Sequence, residues 1–482
     1  MTFYTLPEKY EKKSTLFTVK CGNETLGVVD TPVSAFPLNQ VWPGYQRPLE
    51  QTEPVSFVRL GVCGAFTLDI TPAFAFEKVT VRPLSKNMTP EVKDGTISVT
   101  FPGVGQYTVE LDGMHKVLTV FADPEKDFSF SPDDENVIYF GAGVHYLDAA
   151  LELEDGQTAY IDKDAVVFGG IKASHKKNVA IRGYGILDNS LVERGGTSIG
   201  FSHCENASVE GITFVDSCGW CMHFSGCTNV SVDNIKLIGM WRYNSDGCDF
   251  TNTTNAVLKN SFLRNYDDCV VIKGLTGNTD LPIQNIDVEN CVLWCDWGRA
   301  CELGAETVAP YMRSVHFRNI DIIHGDSVML DLQHGDRAMV SDIYFEDIRC
   351  EYMAEANAPI LQTVKGEQYV NPDPTYMPRL FVVSVQKTMW SNDEETGSIR
   401  NVHFKDIAVT TEDGRIPHSK GKTVTAGGTV VPVGSVIYSG TEGSTVKDVY
   451  FDNITVNGVK YTDAESLYIN IGKGVENVVF VK

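Results

Sequence analysis

Residues 244–274 read NSDGCDFTNTTNAVLKNSFLRNYDDCVVIKG, two acid-bearing strands, SDGCDFTN and DDCVVIKG, either side of the segment AVLKNSFL. Asp246 and Asp267 are 21 residues apart, the length of one full coil of a parallel β solenoid. Such a coil stacks the second acidic strand on the first, ~4.8 Å away. Asp246, Asp267 and Asp268 then share one patch, with Asp249 just behind the first. Crowded carboxylates cannot all ionise, and one raised pKa beside an ionised neighbour is what a general acid next to a general base requires. A solvated Asp-rich loop or a Ca²⁺ site uses the same residue types, so the surrounding sequence has to decide.

Working outward, AVLKNSFL is one instance of a repeat. A polar residue precedes apolar positions at offsets 0, 2, 5 and 7, with Asn, Asp or Gly at offset 4. The units begin at Val179, Ala207, Val230, Ala256, Ile286, Val315, Ile343, Val402 and Val449. Their offset-4 residues are Gly183, Gly211, Asn234, Asn260, Asn290, Asn319, Asp347, Asp406 and Asn453, all types that tolerate positive φ. Each unit is therefore two short strands meeting at a one-residue corner. Only Ser261 breaks the apolar template. Starts lie 23 to 30 residues apart as far as Ile343, then 59 and 47, so the later coils carry insertions. A corner recurring at this interval means stacked coils, a parallel β-helix.

The third strand of each coil follows by aligning SDGCDFTN, DDCVVIKG, RACELGAE and DSVMLDLQ. This places Phe250, Ile272, Leu303 and Leu330 in one inward column, and Cys248, Val270, Cys301 and Val328 in another. Asp249, Val271, Glu302 and Met329 face out, as do Thr251, Lys273, Gly304 and Asp331. Asp246, Asp268, Arg299 and Asp326 stand four residues before the first column. A purely structural wall does not need that density of ionisable groups. Trp241, Trp294 and Trp297 lie in the loops feeding these strands, where indole faces can stack on sugar rings.

Upstream, residues 1–125 differ. VSFVRLGV, EKVTVRPL, GTISVTF, GQYTVELDG and KVLTVFADP are strand-sized runs between turn signals, an antiparallel β-sandwich with no catalytic constellation. Trp42 and Tyr45 leave carbohydrate binding open there, though packing is the simpler role. The linker DPEKDFSFSPD follows, and the β-helix is expected over residues 133–482.

The net charge of −23, without a basic block, excludes nucleic acid as an expected partner and disfavours strongly anionic polymers unless a local basic pocket offsets it. No run suits a signal h-region or a membrane span, so a cytoplasmic protein with no membrane partner is expected, or a secreted one if its start was trimmed. Of twelve cysteines, Cys248, Cys291, Cys301 and Cys350 fall at inward positions as small hydrophobes. Cys218-Gly-Trp-Cys221 has CxxC spacing, with His203 and His223 nearby, but no second pair. No metal and no cofactor is expected. Oligomeric state is unreadable.

NSDGCD followed one coil later by DDCVVIK resembles the signature of the polygalacturonase-like glycoside hydrolases, family 28. The resemblance covers about residues 135–460. It implies a right-handed parallel β-helix and an inverting hydrolase, Asp267 protonating the leaving oxygen while Asp246 and Asp268 hold and activate water. The family's Gly-His-Gly stands here as Gly298-Arg299-Ala300. Its carboxylate-gripping Arg-Ile-Lys is matched to Met329-Leu330-Asp331. The front sandwich and CVLWCDWGRACELG are also similar to the dextranase and isopullulanase family 49, which implies neutral α-glucans.

The fold expected is thus all-β, a β-sandwich before a parallel β-helix. The function expected is hydrolysis of an oligo- or polysaccharide, most simply a neutral α-linked glycan. Lys273 and Arg299 would position substrate, and Asp249, Glu302 and Asp331 would accept from hydroxyls. A pectin-type galacturonidase, a Ca²⁺-dependent β-helix lyase and a non-catalytic glycan-binding β-helix are the alternatives. One tension is geometric. Inversion needs carboxyls ~6.5–9.5 Å apart, further than stacked strands place them.

Overall fold

The computed structural model describes residues 1–481 apart from 36–38, 41–48, 354–359, 362–376, 418–421, 425–429 and 433; Trp42 and Tyr45 lie outside the described residues. Residues 2–124 form two packed sheets of six and five strands. All five runs read from the sequence are strands, and Phe17–Cys21, Val28–Ser34 and Phe66–Pro72 join them. Alternating side chains such as Val19, Leu60, Leu68, Val99, Val109 and Val120 fill the space between the sheets. The pairing is antiparallel with one exception: Thr52–Val62 and Lys116–Pro124 run parallel, Leu118 opposite Ser56.

From Val137 onward the chain winds into a parallel β-helix, with one sheet of 19 strands and another of 11. The repeat starts stack in one column: Ala207 on Val230, then Ala256, Ile286, Val315, Ile343, Val402 and Val449. A further strand, unread in the sequence, continues the column at Val478. Every offset-4 residue has positive φ, from 51° at Asn234 to 126° at Gly183. The polar residue ahead of each unit does too, Asn206, Asn229, Asn255 and Asn285 among them, so each unit is bracketed by two left-handed corners. The asparagines at the leading corner form a ladder, Asn229 donating to Asn206 at 3.0 Å and Asn255 to Asn229 at 3.1 Å. Inside, Phe317, Phe345, Phe404, Phe451 and Phe480 stack at 4.7–5.1 Å.

The sandwich lies against the outer face of the strands that follow the second corner. Val29, Val33, Phe57 and Phe121 pack there on Ile238, Phe262, Val292 and Trp294. Buried ion pairs complete the seam: Lys236 with Asp123 at 2.5 Å, and Arg82 with Glu351. The outer face of the 11-stranded sheet is a different side of the coil, and it carries the acids.

Candidate active site

Strands Cys248–Thr251 and Val270–Gly274 pair in register, Cys248 on Val270 through Thr251 on Lys273. The turns ahead of them are locked by Gly247 N donating to Asp268 O at 2.8 Å and Cys248 N to Cys269 O at 2.9 Å. This brings Asp246, Asp267 and Asp268 together, each under a tenth exposed. Two glycines permit the close approach. A Cβ on Gly298 would lie 2.4 Å from Asp268 Oδ1 and 2.6 Å from Asp267 C; one on Gly247 would lie 2.3 Å from Cys269 O.

The carboxyls do not titrate alike. Burial, with Asp268 adding its charge, pushes Asp267 up to about 8. Burial also opposes ionisation of Asp268, but the Arg299 guanidinium, a hydrogen bond with Glu302, the Lys273 charge and the Arg299 N–H together outweigh it and hold Asp268 below the usual range. Asp246 is held well above that range by burial and by Asp249 and Asp267. At neutral pH the arrangement is a protonated Asp267 beside an ionised Asp268. Two cations serve this patch. Lys273 Nζ lies 3.0 Å from Asp249 Oδ1 and 3.6 Å from Asp246 Oδ2. Arg299 reaches Asp268 at 3.5 Å, Glu302 at 3.7 Å and Asp331 at 3.3 Å.

The register corrects the last coil of the sequence alignment by two residues. Cys301 lies on Leu330, Glu302 on Asp331 and Leu303 on Leu332. The column through Phe250, Ile272 and Leu303 therefore continues at Leu332, not Leu330. Met329 is a core residue, and Val328 faces out with Val382 and Val436. Asp331 joins the outward column of Asp249, Val271 and Glu302. The residues flanking Leu332 are thus Asp331 and Gln333, not Met329 and Asp331, and Gln333 donates to Asp331 at 2.6 Å. Asp326 leaves the acid patch altogether: it lines a cavity with Met114, Trp294 and Asp296 on the sandwich side. Arg299 accordingly faces Asp268, Glu302 and Asp331 rather than Asp246 and Asp326.

Of the three tryptophans, only Trp297 is beside the acids, in an aromatic cluster with Tyr243 and Tyr266. Trp294 is buried in the seam with the sandwich, its Nε1 donating to Asp296 at 2.7 Å and Arg264 stacked 3.7 Å from its ring centre. Trp241 is likewise buried, its Nε1 on Asp216 at 2.8 Å. Trp294 lies in strand Ile283–Cys295, not in a loop, with its indole on the face that the sandwich covers.

Trp220 was missed: it faces Lys273 across 3.9 Å. Its signal lay in the register, because His223 sits directly on Asp249, a relation that the CxxC spacing of Cys218 and Cys221 does not show. Those two thiols are buried, Cys221 pushed up to about 12 by burial. Arg379, on the coil after Asp331, was also missed and bears on it electrostatically. Among the described residues, Asp246 Oδ1, Asp249 Oδ2, Glu302 Oε2 and Asp331 Oδ1 are buried acceptors without a hydrogen-bond donor.

These coils sit inside a recognised segment. Residues 188–392 match the family model "Glycosyl hydrolases family 28". The chain is 24% identical over 315 residues to probable endopolygalacturonase D of Neosartorya fischeri, covering 64% of this chain and 58% of that protein. It is 24% identical over 230 residues to probable rhamnogalacturonase C of Aspergillus niger, covering 44% and 48%. The chain thus spans about half the length of these curated relatives. In fold it is similar to Dex49A from Penicillium minioluteum, with a TM-score of 0.68 at 14% identity, covering 99% of this chain and 96% of that one. The resemblance to family 28 is therefore found by sequence, and the likeness to Dex49A by fold.

Proposed function

We propose that this chain is a glycoside hydrolase that cleaves with inversion. The observation that carries the reading is the split between adjacent carboxyls, Asp267 raised to about 8 and Asp268 held down by Arg299. A pair pushed apart in this way divides into acid and base. Asp267 gives its proton to the glycosidic oxygen as the C–O bond breaks. Water attacks the anomeric carbon from the opposite face and passes a proton to Asp268. Asp246, which keeps its own proton, holds that water by a hydrogen bond. Solvent then restores Asp267 and deprotonates Asp268.

The substrate is a neutral, α-linked glycan. Six carboxyls, Asp246, Asp249, Asp267, Asp268, Glu302 and Asp331, surround Lys273 and Arg299, both already engaged. The donor-less oxygens of Asp249, Glu302 and Asp331 suit sugar hydroxyls. A pectic galacturonide is the second reading, favoured by the names of the two curated relatives and by Arg379 near Asp331.

NMR of the first-formed product tests the mechanism, because it reports the anomer directly. Inversion is expected. Retention, or a glycosyl adduct trapped on Asp246, would sink it.

A further inference from the structure

Trp220 lies in the turn ahead of strand Met222–Ser225, the strand stacked on Cys248–Thr251. Its ring is partly exposed, and the Lys273 ammonium sits 3.9 Å from the ring centre. The same ammonium lies between Asp249 at 3.0 Å and Asp246 at 3.6 Å, and the lysine is only 5% exposed. The indole is itself fixed. His223 meets it edge-on at 5.0 Å, and His223 Nε2 is held by Thr251 Oγ1 at 2.9 Å. Burial, then Lys273, lowers His223 to about 4, so it adds no second cation.

A lysine stem is long and loses rotamer freedom when its head is pinned. An aromatic face attracts a cation, more strongly where water is kept out. Unlike another carboxylate, it binds no proton and adds no charge to an acid-rich patch. We propose that Trp220 is a positioning residue, its ring seating the Lys273 ammonium between Asp246 and Asp249 so that this pair keeps a lower proton affinity than the patch alone would impose. The charged groups around Lys273 are Asp246 and Asp249 on the coil before, Asp267 and Asp268 on its own, and Glu302 and Glu306 on the coil after. Changing the ring leaves all of them in place and alters only where the ammonium sits. The consequence for catalysis rests on the hydrolase reading; the seating itself does not.

The experiment therefore uses no substrate. Aspartate carboxyls of the unliganded protein are titrated by ¹³C NMR, with Asp246 and Asp249 assigned through D246N and D249N. W220L should raise the Asp249 midpoint by about one unit, with W220F between it and wild type. Fluorinated tryptophans placed at position 220 weaken the ring face at constant shape, and the midpoint should climb with each added fluorine. In a K273M background, W220L should add nothing further. Midpoints that ignore both leucine and fluorine, or W220L and K273M shifts that simply add, overturn the proposal. Wild-type protein that binds oligosaccharides and cleaves none of them would instead remove the hydrolase reading and leave these titrations standing.

Discussion

The main-chain N–H of Arg299 donates to Asp268 Oδ1 at 2.7 Å, while the guanidinium of the same residue lies 3.5 Å from both oxygens of that carboxylate. One residue thus holds Asp268 twice, once through the backbone and once through charge. R299Q keeps the first contact and deletes the second. Losing the cation raises the proton affinity of Asp268, so a higher pH is needed to ionise it. The acid limb of kcat/KM should move up by about 1–3 units, and R299K should recover part of the shift. A limb that stays in place in R299Q would assign the ionisation of Asp268 to some other group.

Asp267 supports a prediction with two readouts. Removing a general acid costs about 10²–10⁴ in rate, and D267N should lose at least that while still folding. Its folded pKa of about 8 lies above the unfolded value of about 3.9. The folded state therefore keeps a proton the unfolded state has lost, and the stability this group contributes is complete below about pH 4 and gone by about pH 8. Asn carries no such proton. The melting temperature of D267N relative to wild type should rise steadily across that window. A difference that is flat with pH, or falls, contradicts the raised pKa.

What the sequence disclosed and what it hid divide along a physical line. Corners were legible because φ near +55° is a backbone demand that only a few residue types meet, and Asn234, Asn260, Asn290 and Asn453 announce it. Ser261 looked like a failure of the template yet satisfies itself, donating to Lys259 O at 2.6 Å and accepting from Ile235 N at 3.2 Å. Register was legible as far as Leu303, but DSVMLDLQ offers three alternating apolar positions, Val328, Leu330 and Leu332, so two registers fit its pattern. There the alignment had slipped by two residues, which displaced Met329 and Asp326. The indoles were hidden because local sequence does not say which surface a side chain will meet. Trp294 needed the sandwich to be seen, and Trp220 needed Lys273.

Gly298 shows how tightly the acid turn is packed. An alanine methyl there would fall 2.4 Å from Asp268 Oδ1 and 2.5 Å from Asp268 N, contacts that real side chains do not make. Either the strand beginning at Arg299 or the Asp267–Asp268 turn must move. Overpacking of this kind costs about 1–3 kcal/mol, and displacing the turn also disturbs the 2.7 Å contact to Arg299 N. G298A should therefore lose stability and lose kcat by more than tenfold, with KM changed less. Urea unfolding and steady-state kinetics on one preparation check both. Wild-type kcat at reduced stability would mean that the strand yields and the acids do not.

The last prediction concerns the charge of the sugar beside Arg299. A uronate carboxylate buried there needs an unengaged cation, since leaving one charge unpaired costs several kcal/mol. The outward column offers Glu302 and Asp331 instead, and Gln333 already donates to Asp331 at 2.6 Å. Arg299 is shared among Asp268, Glu302 and Asp331. Burial raises Asp331 to about 6 and Arg299 opposes the rise, so near neutral pH it is an anion that repels another. On matched oligosaccharides, kcat/KM for the neutral member should exceed that for the galacturonide by about a hundredfold or more, the scale of an unpaired buried charge. D331N removes the repelling charge and frees Arg299, so it should narrow the ratio from the uronate side. The neutral substrate should meanwhile lose activity, because Asn offers its hydroxyls a weaker acceptor than a carboxylate. A wild-type preference for galacturonides would reverse the assignment, making Arg299 or Arg379 the group that grips the substrate carboxylate.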